Sequence, residues 1–339
     1  MIRFGILGFG LHAVRRLMPG FALARNCRVT ALSRREMSQA QASAQQYGIP
    51  LAFDSAHALC SSPEVDAVLV TTPNASHLND VLLAVRCGKP VLCEKPMGIA
   101  ADECRRMVEA ARQAKLLLGV AQVFRFEHST AWLRKKLASG SAGTPIFARA
   151  EFSFPGRNHA RKWLTAAAIA GGGPIADIGV HCIDALRYIL DDEVVSVVGG
   201  TARDSDSGEV ESAAALVLGF SRGTLATVTV SYRAEYRTPL EIVGERGVLR
   251  GDDVLNVEHP IELQLIQGGS VVERESVFNR EAYARQVDAF ADAVEGKTAF
   301  PVPGEEGWQN QEILDAAYRS LQSGKFEPVT AVVKTQGKH

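Results

Sequence analysis

Three clusters of residue types in this chain could do chemistry. The first is Val91-Leu-Cys-Glu-Lys-Pro-Met97, an apolar run that stops on a charged pair and a proline. It reads as a short buried strand, 90–93, with Lys95 just past its end. In an open parallel sheet, ligands bind beyond the carboxyl ends of the strands. An ammonium placed there can stabilise negative charge developing on an oxygen. Pro96 fixes its own φ and holds Lys95 before it in extended geometry. The competing reading is a solvated lysine in a βα loop.

The second cluster is Gly171-Gly-Gly-Pro-Ile-Ala-Asp177-Ile-Gly-Val-His181-Cys-Ile-Asp184. The glycines break the chain, and Pro174 suits a first helical turn. Asp177 and His181 are four apart and share a helix face, with Asp184 three further along the same side. A carboxylate beside an imidazole raises its pKa and orients it, giving a proton donor or acceptor near neutral pH. The alternative is a surface pair with an acid favoured near the helix start. No further ligand pattern accompanies the pair, so no metal site is expected.

The third is Gly8-Phe9-Gly10-Leu11-His12-Ala13, between a strand at 2–7 and a helix at 14–24. This is a dinucleotide fingerprint with alanine in the third position. Gly8 permits the turn, Gly10 admits a pyrophosphate to the backbone, and the helix start offers free amides. The next strand, 28–33, ends in Ser33-Arg34-Arg35, where an NAD site would usually carry an acid. An arginine there pairs with a 2′-phosphate, which favours NADP, with NAD as the alternative. Thr71-Thr72-Pro73-Asn74 follows the strand at 65–71 and forms a turn beside a nicotinamide or its ribose. His77 is expected in the first turn of the following helix.

The elements that must position these groups follow from pattern. Strands and helices alternate through residue 121, which argues a doubly wound parallel sheet. Helices are expected at 36–47, 56–60, 78–87 and 102–114, and strands at 49–53 and 116–121. A boundary falls near 122, dividing a dinucleotide-binding domain, 1–121, from a second α/β domain, 122–339. In the second half a helix at 129–139 and a strand at 146–154 precede a polar loop, 155–170, holding His159, Arg161 and Trp163. Strand-like runs at 194–199, 212–220, 223–232, 240–243, 247–250 and 261–267 argue a large, mostly antiparallel sheet. One face should carry the 173–190 helix, leaving the other open to a second subunit. Helices at 280–295 and 305–323 close the chain.

Composition bounds the function. The chain has 339 residues, 46% hydrophobic and 22% charged, with formal net charge −1. Nothing electrostatic favours nucleic acid or an anionic membrane. No apolar run reaches the roughly 20 residues of a membrane helix. The start at Met1 enters a strand pattern at once, so no signal peptide is expected. Six scattered cysteines read as reduced thiols. These features suit the cytoplasm.

With Gly8-Phe9-Gly10, Glu94-Lys95-Pro96 and Gly171-Gly-Gly…Asp177…His181 in view, the chain resembles the Gfo/Idh/MocA family of NAD(P)-dependent oxidoreductases. The stretch at 241–249 and the helix at 283–295 also resemble that family's second domain. The resemblance implies a Rossmann domain, an open-sheet α/β domain, an active site in the cleft between them, and homodimers or homotetramers built through the open sheet. It implies that Lys95 contacts substrate and nicotinamide ribose, that His181 transfers the proton and that Asp177 binds substrate. It also raises the cis form of the Lys95–Pro96 bond. Arg125, Arg161 and Trp163 are the further substrate-side candidates. The cofactor side comprises Gly8, Phe9, Gly10, Leu11, Ser33, Arg34, Arg35, Thr71, Thr72, Pro73, Asn74, His77, Glu94 and Lys95. The implied activity is hydride transfer between the nicotinamide and a secondary alcohol or ketone of a sugar, inositol or related polyol. The alternatives are a nucleotide-binding regulator that has lost the chemistry and an NAD-dependent glycosidase of the same fold.

Overall fold

Six short apolar runs pair into one sheet: β1 (Ile2–Leu7), β2 (Cys27–Ser33), β3 (Leu51–Phe53), β4 (Ala67–Val70), β5 (Val91–Cys93) and β6 (Leu118–Val120). Their order is β3-β2-β1-β4-β5-β6 and every pairing is parallel. This is a Rossmann-type doubly wound sheet. β4 and β5 are buried along their whole lengths, as helices on both faces require. Strand order reverses between β1 and β4, where Leu7 lies opposite Val70. The segments leaving those strands, from Gly8 and from Thr71, therefore start side by side at the switch point.

These coordinates form a computed structural model that describes residues 1–156, 161–205 and 208–333. His159 lies outside the described residues. The chain divides into two compact units. One contains Met1–Val123 with Glu281–Trp308, and the other contains Phe124–Arg280 with Gln309–Val332.

In the first unit, helix Ala282–Val294 brings Phe290 against Phe4 and Phe300, at ring separations of 5.9 and 5.2 Å. Asp288 on that helix accepts from the backbone N–H groups of Arg25 and Asn26, at 2.9 and 3.2 Å. A late segment of the chain thus completes the core under β1 and β2. The first helix begins earlier than expected and ends at Leu23, with one π turn, Ala13–Leu17, ahead of Met18–Leu23. A straight α-helix would drive the Pro19 ring into the preceding turn; the wider turn relieves it.

The second unit holds a nine-stranded sheet built from β7 (Pro145–Ser153), β8 (Val194–Ala202), β9 (Ala213–Phe220), β10 (Leu225–Ser231), β11 (Leu240–Gly244), β12 (Val248–Gly251), β13 (Ile261–Gln267), β14 (Ser270–Val277) and β15 (Glu327–Pro328). Their order is β14-β13-β12-β11-β7-β10-β9-β8-β15. All pairings are antiparallel except β10 with β7. Helix Val180–Leu190 packs on one face, against β7. On the other face, Phe147 and Leu225 lie opposite one another and are 50% and 46% exposed.

β14 and β15 were not expected from pattern. β14 carries Glu273, Arg274 and Glu275 along an edge with one neighbour, so no apolar alternation marks it. Within the stretch expected as a loop, the described part carries a 3₁₀ turn at Lys162–Thr165 and a helical turn at Ala167–Ala170. Among the described residues, no helix is long and apolar enough to cross a membrane.

Candidate active site

The turn after β1 is held from three sides. Gly8 has φ +79°, and a Cβ there would meet Thr72 Cγ2 at 2.7 Å and Thr72 N at 2.9 Å. Only glycine fits that position. Ser33, itself buried, accepts from the N–H of Gly8 through its hydroxyl at 3.4 Å and from that of Phe9 through its carbonyl at 2.9 Å. Thr71 donates its hydroxyl to the carbonyls of Leu7 and Gly8, at 3.0 and 2.9 Å. Ser33 and Thr71 therefore shape the turn. Gly10 differs from Gly8: an added Cβ would meet nothing nearer than the Gly8 carbonyl at 3.6 Å. The space over Gly10 is open, as a backbone approached by a pyrophosphate requires. Phe9 is buried against Tyr47, at a ring separation of 5.5 Å, and Leu11 is half-buried. At the end of β2, Arg34 donates to Ser43 Oγ at 2.9 Å, and Arg35 is exposed.

Past β4, Thr72 donates to Asp80 at 2.7 Å, while Pro73 and Asn74 lead into helix His77–Arg86. His77 is a first-turn residue, as expected, and is fully enclosed. Its Nε2 faces the Thr72 carbonyl at 2.9 Å and its Nδ1 faces the Pro96 carbonyl at 3.0 Å. Burial pulls its pKa below the ordinary value, against the opposing pull of those two carbonyls and of Glu94 and Asp80. His77 thus bridges the turn after β4 to the turn after β5.

The turn after β5 carries Lys95, half-buried, and the Lys95–Pro96 peptide is cis. Glu94 is buried. Its Oε2 accepts from the Lys95 N–H at 3.2 Å, and its Oε1 lies 2.8 Å from His12 Nε2. Burial alone would raise the Glu94 pKa, but His12 and Lys95 outweigh it and hold the carboxyl below its usual range.

In the second unit, the Gly171–Gly173 segment is held by Glu211, which pattern did not single out. Its buried carboxylate accepts from the N–H groups of Gly173 and Ile175, at 3.2 and 3.0 Å, and from the Tyr318 hydroxyl at 3.0 Å. A Cβ on Gly173 would lie 2.4 Å from the Glu211 carbonyl, so the approach demands glycine. One π turn, Ile175–Gly179, follows and runs into helix Val180–Leu190.

Asp177 sits in that π turn, 5% exposed. Its Oδ2 accepts from the Tyr232 hydroxyl at 2.9 Å and lies 3.9 Å from the Arg161 guanidinium. Arg161 lies over Trp163 at 5.9 Å. Burial first, and the Asp177 charge second, push the Tyr232 phenol well above its ordinary pKa, so it stays a donor. His181 is 8% exposed, edge-on to Phe124 at 4.5 Å and stacked on Phe152 at 6.0 Å. Phe152, Phe154 and Tyr232 continue the row of rings back to the Asp177 side. Asp184 and Arg125 lie in a different environment. Arg125 donates to both Asp184 oxygens, at 2.8 and 2.7 Å, and Asn310 donates to Oδ1 at 2.8 Å. The fork and the burial mark a packing ion pair.

The comparisons with known proteins agree with this fold. Residues 2–122 match the family described as an oxidoreductase family with an NAD-binding Rossmann fold, and residues 130–250 match the GFO/IDH/MocA C-terminal domain. A 1,5-anhydro-D-fructose reductase from Ensifer adhaerens is 30% identical over 91% of this chain and 92% of its own length. The chain belongs to the Gfo/Idh/MocA family of oxidoreductases. A D-xylose 1-dehydrogenase (NADP(+)) from Haloferax volcanii is 29% identical over 95% of this chain and 98% of that one. The crystal structure of an aldose-aldose oxidoreductase from Caulobacter crescentus, complexed with glycerol, superposes with TM-score 0.88 at 25% identity. It covers 97% of this chain and 99% of that one.

This family member is an NAD(P)-dependent dehydrogenase or reductase with a dinucleotide-binding Rossmann unit. The residues fit the cofactor: the space over Gly10 is the cradle a Cβ would fill, at the start of the first helix. Three residues that hydrogen-bond to these segments escaped the pattern reading. His12 was hidden inside the fingerprint as one of its variable positions. Tyr232 and Glu211 come from distant strand ends, and no local spacing ties either to Asp177.

Proposed function

We propose that this oxidoreductase interconverts a secondary alcohol and a ketone on a sugar, inositol or related polyol, using NADP. The two-electron chemistry is the nicotinamide's when bound. The chain supplies proton transfer and charge stabilisation. His181 takes the hydroxyl proton in oxidation and returns it in reduction. Lys95 stabilises negative charge on the reacting oxygen, and its cis turn is tied to His77 and Glu94. Asp177, oriented by Tyr232, binds a neighbouring hydroxyl of the substrate, with Arg161 and Trp163 at its side. Arg34 and Arg35 take the 2′-phosphate. Arg125 serves the fold through Asp184.

The observation that carries the reading is the Asp177–Tyr232–Arg161 arrangement one helical turn from a buried imidazole. A carboxylate held by a phenol and a guanidinium suits hydroxyl recognition, and the adjacent imidazole suits proton transfer. The sugar-directed names of the relatives support the same substrate class. Six free cysteines suit a reducing cytoplasm. The exposed Phe147–Leu225 pair supports a homodimer or homotetramer built through the open sheet face.

The test is a panel of aldoses, inositols, polyols and their ketones, assayed with NADP and NAD in both directions by nicotinamide absorbance. Net cofactor turnover with at least one sugar or polyol is expected. Binding without any turnover would favour a nucleotide-binding regulator. Sugar release without net cofactor change would favour a glycosidase.

A further inference from the structure

His12 occupies a variable position of the fingerprint, two residues after the open Gly10 and one before Ala13. Its imidazole turns to the end of β5, where Nε2 lies 2.8 Å from Glu94 Oε1. The other oxygen of the same carboxylate accepts from the Lys95 N–H. One side chain therefore joins the segment that cradles a pyrophosphate to the residue that fixes the backbone of Lys95. We propose that His12 is an ionisable positioning residue: dinucleotide binding draws a proton onto its imidazole, and the charged ring grips Glu94 and so holds Lys95 in place.

The charges favour this sense. The His12 side chain is 26% exposed and that of Glu94 is 10% exposed, so the ring can exchange protons with solvent while its partner is shielded. The groups against the ring are Glu94 from the end of β5 and Tyr283 from helix Ala282–Val294 at 6.1 Å, with Arg15 and Arg16 following in the sequence of its own helix. A pyrophosphate adds negative charge to this set and favours the imidazolium. By linkage, protonation of His12 and dinucleotide binding then strengthen one another. With the ring charged, Glu94 is held below its usual pKa and is its anionic partner.

The inference rests on dinucleotide binding alone, so its test is independent of the polyol reading. NADP, or NAD if that binds tighter, is titrated into the full chain by calorimetry in two buffers of different ionisation enthalpy, across pH 6 to 9. Uptake of a measurable fraction of a proton per dinucleotide bound is expected. His12→Gln keeps an N–H donor for Glu94 but cannot take the charge, and is expected to lose the uptake while still binding. Glu94→Gln removes the counter-charge and is expected to shift the uptake maximum to lower pH. Absence of uptake in the unaltered protein overturns the proposal. So does uptake that survives in His12→Gln, or a maximum that does not move in Glu94→Gln.

Discussion

The Tyr232 hydroxyl donates to Asp177 Oδ2 at 2.9 Å across 55 positions of sequence. A strand-end phenol thus fixes a carboxylate on a helix start, and the Arg161 guanidinium lies by the same oxygen. Tyr232→Phe removes one hydrogen bond to a charged group, worth about 1.5–3 kcal/mol. We expect roughly tenfold or greater loss in kcat/KM on the best panel substrate, with nicotinamide binding unchanged. Steady-state kinetics together with cofactor titration check this. The phenol remains protonated over the working range, so no Tyr232 ionisation should enter the pH–rate profile.

Glu211 is expected to matter for the same helix start through the fold. Glu211→Ala leaves the Gly173 and Ile175 amides and the Tyr318 hydroxyl without their acceptor. The cost should be about 2–3 kcal/mol for the buried donors, read as a lower denaturant midpoint. Glu211→Gln, which retains one acceptor oxygen, should lose less.

The two fingerprint glycines should fail differently. Gly8→Ala forces a side chain into a positive φ and against Thr72, and should lower thermal stability. Gly10→Ala meets no protein atom nearer than 3.6 Å, so stability should hold while dinucleotide affinity falls. Thermal melts with and without NADP separate the two outcomes.

Much of this was legible in the sequence because it is local. The turn from β1 into the first helix and the run through Lys95 to Pro96 each lie within a dozen residues, so type and order suffice. The Asp177–His181 spacing was legible too, although the π turn that carries Asp177 was not. A π turn depends on how the chain enters from Gly173, and that entry is set by Glu211, 38 residues later. β14 was invisible because an edge strand carries charge where a central strand carries apolar alternation. Asp184 shares helix spacing with Asp177, yet Arg125 and Asn310 capture it, a partnership that only tertiary contact reveals.

Cofactor preference should reside in Arg34 and Arg35. Arg35 is exposed, so Arg35→Ala probes the 2′-phosphate with little cost to the fold. Arg34 also donates to Ser43, so its loss carries a small stability penalty. The double alanine variant should shift the NADP-to-NAD affinity ratio toward NAD by roughly tenfold to a hundredfold, the worth of one or two charge-assisted hydrogen bonds. Parallel titrations with both dinucleotides measure it.

Lys95 and His181 are each proposed to serve the reaction. The direct measurement is turnover of Lys95→Ala and His181→Ala on the best panel substrate, with NADP affinity determined on the same preparations. The account predicts that each variant loses about a hundredfold or more in kcat while NADP still binds. Wild-type turnover in both variants would contradict it.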